Sequence, residues 1–340
     1  MRIASRSLNR FLRPVAAMAL GLVLSGCTAS VLDLNTKAIQ PIPARLVSEM
    51  RAKNMSPSAP ILVRIFKQES ELEVWKRDAK GRFKLLKTYP MCRWSGKLGP
   101  KTKAGDRQAP EGFYHVTASA LNPNSQYHLS FNLGYPNRLE DALGYTGEAL
   151  MVHGACSSSG CYALTDEGVG EIYAVAREAL KGGQRSFQVQ AFPFRMTPEN
   201  MARNRENENF AFWQSLKPGY DILEVTGRQP EVGYCGRRYV FASDFGGQAP
   251  SDPLAACPPA LGKTEPAVAA RFETDRVAFE RLAQSPAQTA YAYQDGGMHE
   301  SFRKLLEREG EKKLAKRTSN TSVPVSRPAA ALADPQWAAE

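Results

Sequence analysis

The stretch that most constrains this chain runs from Ala149 to Gly183. Ala149, Leu150, Met151 and Val152 form a short apolar run of the kind that makes a buried strand. A small, flexible loop follows, containing Gly154, Ser157, Ser158, Ser159 and Gly160. From Thr165 or Asp166, the helix start, the period turns helical, with Val169, Ile172, Tyr173, Ala176 and Leu180 on one face and Gly182-Gly183 as a stop. The loop joining strand to helix holds an imidazole, His153, and a thiol, Cys161, eight residues apart. A thiol attacks as its thiolate and needs a base within hydrogen-bond reach. A cysteine just ahead of a helix start also finds backbone N–H groups for a developing oxyanion. Spacing alone describes a structural histidine and a structural cysteine in a Gly/Ser loop equally well.

Around this stretch the chain reads as many short strands. Ile61–Phe66, Glu71–Arg77 and Phe83–Tyr89 alternate with a period near two and are separated by short turns, as in a β-meander. Phe113–Thr117 and Phe187–Phe192 read the same way. The turn-rich segment from Gly99 to Gly112 is basic (Lys101, Lys103, Arg107). The stretch from Asn132 to Glu148, with Tyr135 and Tyr145, has no clear period and suggests either a lid or a loop anchored by its tyrosines. Thr197-Pro198 starts a helix, Phe210–Leu216 suggests another, and Asp221–Thr226 and Tyr239–Phe241 look strand-like. Beyond Cys257, Pro266–Ala283 and Glu300–Lys316 suit helices, while Thr318–Glu340 is low in complexity and expected to be disordered. His115, His128 and His299 fall in no motif and are expected to be structural or surface residues.

The residues also carry a family resemblance. His153-Gly154 followed by Ser158-Ser159-Gly160-Cys161 resembles the HG…SxGC signature of YkuD-type L,D-transpeptidases, and the short gap with Gly-Cys-Tyr-Ala-Leu-Thr-Asp resembles the YafK-like subgroup. Gly105-Asp106 with Pro110-Glu111-Gly112-Phe113-Tyr114 is similar to the family's GD…TPEGxY segment, with Ala109 in place of Thr. Cys92–Pro100 is similar to the block preceding it in that subgroup. The likeness covers about residues 60–196 and weakens towards 241. It implies a mainly β domain with α elements, an antiparallel β sandwich-like catalytic domain with one helix behind the active-site loop and a helical C-terminal extension. It further implies Cys161 as nucleophile, His153 as general base, and Ser159, Gly160 and Cys161 around an oxyanion site, with Gly154 and Ser158 in support. The implied substrate is a peptidoglycan stem peptide containing diaminopimelate, acylating the enzyme as a thioester. The acceptor is an amine in a transpeptidase, or water in a hydrolase that detaches wall-linked envelope protein. A third reading is a non-catalytic peptidoglycan-binding lipoprotein. Where the common motif has a β-branched residue and Arg after Gly-Cys, this chain has Tyr162 and Ala163, so the family's usual substrate-carboxylate contact is missing.

The N-terminus suggests an envelope protein. Arg2, Arg6, Arg10 and Arg13 precede a short apolar run, Val15–Leu24, too short to span a bilayer comfortably. Leu24-Ser25-Gly26-Cys27 resembles a lipobox, implying a signal peptide over 1–26, lipidation of Cys27 and, with Thr28 following, an outer-membrane anchor on the periplasmic side. A tether is expected over 27–59, the catalytic domain over 60–196, an elaboration over 197–257 and the tail over 258–340. Four of the ten net positive charges belong to the N-terminal arginines. The remaining mild basicity, without an Arg/Lys-aromatic pattern, points to an acidic envelope polymer rather than nucleic acid. No metal set, phosphate loop or dinucleotide motif appears, so no metal or other cofactor is expected. With Cys27 and Cys161 assigned, Cys92, Cys156, Cys235 and Cys257 remain, an even number in an oxidising compartment. Of three pairings, Cys235–Cys257 is the simplest local bridge and Cys92–Cys156 would pin the active-site loop. Cys156 as a resolving thiol for Cys161 is the rival.

Overall fold

The computed structural model describes residues 36–286 and 291–333. Twelve strands and nine helices are used below, numbered in chain order. The expected meander forms as β1 (Ile61–Phe66), β2 (Glu71–Arg77) and β3 (Phe83–Pro90). Its sheet has the order β3-β2-β1-β10-β5, where β5 is Gly112–Thr117 and β10 is Ser186–Phe192. β1 and β10 are parallel, in the register Leu62–Gln188 to Phe66–Phe192, and the other neighbours are antiparallel.

A second five-stranded sheet carries the site. Its order is β4 (Arg93–Trp94), β9 (Tyr162–Ala163), β8 (Met151–His153), β7 (Ser130–Asn132) and β6 (Leu121–Asn122). Here too one pair, β8 with β9, is parallel. The two sheets share a core: Phe131 of β7 meets Phe187 of β10 edge-on at 5.5 Å, and Val116, Val152, Tyr162 and Val189 are buried with them. The helix behind the loop is present. With α1 (Ala44–Ala52) and α2 (Arg138–Ala142) preceding it, it is α3, Asp166–Lys181, and it buries Val169, Ile172, Tyr173, Ala176 and Ala179. The fold is therefore the expected sandwich-like mixture of sheet and helix, with one parallel pair in each sheet.

Several expectations are corrected. Residues 44–55 are not tether: α1 lays Leu46 and Met50 into the core, and Met55 follows them. Only residues 27–35 of the expected tether, with Cys27 and the signal segment, lie outside the described residues. Asp221–Thr226 is not a strand but the second half of a helix. After α4 (Pro198–Arg203), α5 runs from Phe210 to Thr226 through Pro218 and ends on Gly227 in the left-handed region. Tyr220, Ile222 and Leu223 are its buried face, and that packing overrides the local β-like pattern. β11 (Glu231–Cys235) and β12 (Arg238–Ala242) form a separate hairpin. Of the two readings of the Asn132–Glu148 stretch, a lid or a loop anchored by its tyrosines, the second holds: it is folded onto the domain. Asn137 caps α2 in a capping box with Glu140, and Tyr135 is buried with its hydroxyl donating to the Lys101 carbonyl at 3.1 Å.

The described tail is a packed extension. α6 (Pro266–Ala283) lies against α4 and α5. Gly310, at φ +75°, divides the helix expected over 300–316 into α7 (Glu300–Glu309) and α8 (Glu311–Thr318), and α9 (Pro328–Leu332) follows. Met298, Leu306, Leu314, Val325 and Ala331 are buried around Cys92 and Cys156. Arg93, fully buried, fastens the extension by donating to the carbonyls of Asp295 (2.7 Å), Gly297 (3.1 Å), Ser326 (2.8 Å) and Arg327 (3.2 Å). The order of residues 318–333 comes from this buried polar side chain, which composition does not reveal. Both local disulfide expectations are met: Cys92 bonds Cys156 and Cys235 bonds Cys257.

Candidate active site

β8 delivers His153, and the chain returns through the loop to place Cys161 one residue before β9. In the parallel pair Val152 lies beside Tyr162 and His153 beside Ala163. Continuing that register sets Met151 beside Cys161, and the Met151 N–H indeed donates to Cys161 Sγ at 3.4 Å. Side chains alternate along strands, so Met151 and His153 share a face. The thiol therefore sits against the backbone of β8, at Met151, two residues before His153.

The imidazole has a defined tautomer. His153 Nδ1 lies 2.6 Å from the Gly154 carbonyl, which only accepts, so Nδ1 carries the proton and Nε2 keeps its lone pair. The ring is buried and stacks on Tyr127 at 4.8 Å. Burial lowers the imidazole's pKa, while the Gly154 carbonyl and the Asp166 carboxylate pull it up. The group orienting the histidine is thus a backbone carbonyl. Gly154 is required where it stands: a Cβ would lie 2.6 Å from Asp166 Oδ1 and 2.8 Å from the Tyr127 carbonyl.

Cys161 is the free cysteine among the described residues and is partly exposed. Burial pushes its thiol pKa up, and the Met151 N–H and the charge of Lys101 pull it down. The resting pair is therefore a neutral thiol and a neutral imidazole. Because Cys156 is held by Cys92, the bridge pins the loop and Cys156 is not a free resolving thiol.

The loop is built on Ser158. Its hydroxyl donates to the Cys161 carbonyl (2.7 Å) and accepts the Cys161 N–H (3.1 Å), and the Gly160 N–H lies 3.5 Å away. The Cys161 amide expected in an oxyanion site thus faces Ser158 in this state. Ser159 is exposed, and Gly160 holds φ +135°, which an L side chain rarely adopts. Thr165, not Asp166, caps α3, accepting the Gly168 N–H at 3.0 Å. That frees the buried Asp166 to accept the Ala155 N–H (3.0 Å) and the Asn320 N–H (2.7 Å). His128 Nδ1 lies 3.7 Å from the same carboxylate. His115 is on β5, in the other sheet, and His299 caps α7, away from the catalytic loop.

Behind the site, Glu111 organises the conspicuous Gly105–Tyr114 segment. It pairs with the buried Lys67 at 2.9 Å and accepts from the Gly99 N–H (2.7 Å) and Trp213 Nε1 (2.8 Å). Sequence reasoning named this segment but not that role. It also missed Ser95, Asn320, Ser326 and Arg327, which contact the catalytic loop or its helix. Ser95 lay inside a recognised block, whereas the other three had no signal in the tail.

The protein named "Putative L,D-transpeptidase YafK" from Escherichia coli strain K12 is 43% identical over 190 residues, which cover 56% of this chain and 77% of that protein. The chain belongs to the L,D-transpeptidase family, in its YafK-like subgroup. The namesake from Escherichia coli O157:H7 matches to the same extent. No protein-family model matches the chain. Among solved structures, the helical cell shape determining protein Pgp2 of Campylobacter jejuni aligns at 16% identity and a TM-score of 0.33, covering 72% of this chain and 78% of that one. Bd1075 of Bdellovibrio bacteriovorus aligns at 18% identity and a TM-score of 0.29, over 40% and 49%. In this chain the two sequence blocks that precede the thiol, Cys92–Pro100 and Gly105–Tyr114, pack against one another and the first reaches the catalytic loop: Ser95 Oγ lies 2.5 Å from Ser158 Oγ, and the Ala109 N–H donates to the Ser95 carbonyl at 3.0 Å.

Proposed function

We propose that this L,D-transpeptidase homologue transfers acyl groups of peptidoglycan stem peptides through Cys161. The observation that carries the reading is a free thiol held at the Met151 N–H of β8, two residues before a Nδ1-protonated histidine on the same strand. Cys161 Sγ attacks the carbonyl at the L-centre of diaminopimelate in a tetrapeptide stem, and His153 Nε2 takes the thiol proton. The oxyanion that forms is met by backbone N–H groups near Ser159, Gly160 and Cys161. As the C–N bond breaks, the imidazolium returns the proton to the departing amine of D-alanine, leaving a thioester. An amine of a neighbouring stem or of an envelope protein then attacks, releases the thiol and completes the transfer. With water as acceptor the same steps give hydrolysis, and where the departing amine is that of a wall-linked protein instead of D-alanine, that protein is released.

The test is mass spectrometry of sacculi, some bearing linked protein, after incubation with the purified mature chain and with its Cys161→Ala variant. New 3-3 cross-links or new protein-linked muropeptides are expected with the unsubstituted chain alone. Loss of existing peptide–protein links without new ones would reassign it as a hydrolase. Sacculi unchanged by either chain would leave only the binding-protein reading. We further propose that the mature protein begins at a lipidated Cys27 on the periplasmic side of the outer membrane. Intact-mass analysis of the N-terminal peptide checks this, and an unmodified Cys27 would refute it.

A further inference from the structure

Residues 319–327 of the extension cross beside the catalytic loop and bond into it. Ser326 Oγ accepts the Ser158 N–H at 2.9 Å, and the Ser326 N–H donates to the Cys156 carbonyl at 3.3 Å. Arg327 Nη2 donates to Ser95 Oγ at 3.0 Å and to the Ser158 carbonyl at 2.8 Å. A carbonyl only accepts, so the one proton of Ser158 goes to the Cys161 carbonyl at 2.7 Å, and this fixes the direction of the rest of the chain. Ser95, having accepted from Arg327, gives its proton to Ser158 Oγ 2.5 Å away. Ser158 gives its own proton to the Cys161 carbonyl and accepts the Cys161 N–H in return. Both backbone polar groups of the cysteine thus hang on one hydroxyl, and Arg327 braces that residue from two sides, through Ser95 Oγ and through the Ser158 carbonyl.

Arg327 is itself held for this task. Its backbone is in the left-handed region at φ +48°, unusual for a side-chain-bearing residue, and its carbonyl accepts from Arg93. Its guanidinium pairs with Asp295, which also binds Arg107 at 3.2 Å.

We propose that Arg327 is a positioning residue of the active site, acting through Ser95 and Ser158 to hold Cys161 at the register where Sγ faces the Met151 N–H. This rests on reading Cys161 as the nucleophile. The charge that bears on the thiol directly, Lys101 in the loop before β5, is untouched by substituting Arg327. What changes is the alignment of the hydrogen bond that favours the thiolate.

The experiment follows iodoacetamide labelling of Cys161 against pH in the full chain, read by peptide mass spectrometry, well below the melting temperature of each variant. R327A is expected to raise the labelling midpoint by about one pH unit, which is roughly tenfold slower labelling at a fixed pH below it. S95A moves the midpoint the same way, the double variant moves it no further than the larger single change, and R327K recovers part of the shift. A wild-type midpoint in R327A, or additive shifts in the double variant, overturns the proposal. Should R327A not fold, S95A decides alone, and a wild-type midpoint there overturns it equally. His153→Ala is run alongside. If it leaves acylation of Cys161 by a carbapenem unchanged, the reading of Cys161 as a thiol activated by His153 fails whatever Arg327 does.

Discussion

Burial favours the neutral form of both Cys161 and His153, so in the proposed reaction the proton moves as the sulfur attacks rather than beforehand. The pH dependence follows from the imidazole. His153 must be unprotonated to act, and burial places its pKa below the ordinary histidine value of about 6.5. The active form is therefore complete above that value and is lost only as pH falls through the lowered pKa. Acylation of Cys161 by a carbapenem should show an acid limb below about pH 6.5, and His153→Ala should abolish the limb and slow acylation about 100-fold. An acid limb centred above pH 7 would contradict the neutral pair. Gly154 gives a steric counterpart. In Gly154→Ala the new methyl drives Asp166 off the Ala155 N–H, and thermal or urea unfolding should show a loss of about 1–3 kcal/mol together with slower acylation. Both active groups were legible in the sequence because the signature residues sit on consecutive turns of one loop. Arg327 was not, because its contacts with Ser95 and Ser158 lie well over a hundred residues upstream and no local pattern marks them.

The elements repeat that contrast. β1, β2, β3 and α3 are long enough for their periods to be read, and each forms where its apolar residues place it. β4, β8 and β9 span two or three residues each, too few to show a period, yet β8 and β9 carry the site. Their pairing comes from neighbours: β4 is fixed by Arg93 and by the bridge from Cys92, and β9 by Tyr162, whose hydroxyl donates to the Pro110 carbonyl at 2.6 Å. The 97–112 loop depends likewise on one buried ion pair. Burial lowers the pKa of Lys67, and Glu111 opposes that. Glu111→Gln removes the countercharge and leaves an unpaired buried ammonium, so chemical denaturation should show a loss of about 3–5 kcal/mol. Exchanging both partners for apolar residues of similar volume should cost less, since no buried charge is then stranded. A loss below 1 kcal/mol in Glu111→Gln would mean that Lys67 is solvated or neutral.

For the molecule as a whole, the extension beyond residue 290 completes the domain. It covers the Cys92–Cys156 bridge with Met298, Leu306, Leu314 and Val325. A chain ending at residue 290 should have its bridge reduced by dithiothreitol at least tenfold faster than the full chain, measured by thiol alkylation, because exchange needs access to a sulfur. Equal rates would show that the bridge is shielded by the sheets alone. The order of the first sheet has a consequence in time. β1 and β5 are joined only through β10, which follows the catalytic loop and α3 in the sequence. A nascent chain that has reached α3 therefore has a three-stranded half-sheet with an open edge at β1 and a lone β5 still without its partner in that sheet. Loop closure over more than a hundred residues must precede the β1–β10 pairing, which makes this a slow, non-local step. Arrival of β10 closes that edge and pairs β5 at once, so the time needed to build the platform beneath the thiol is governed by a strand that contributes no residue to the chemistry.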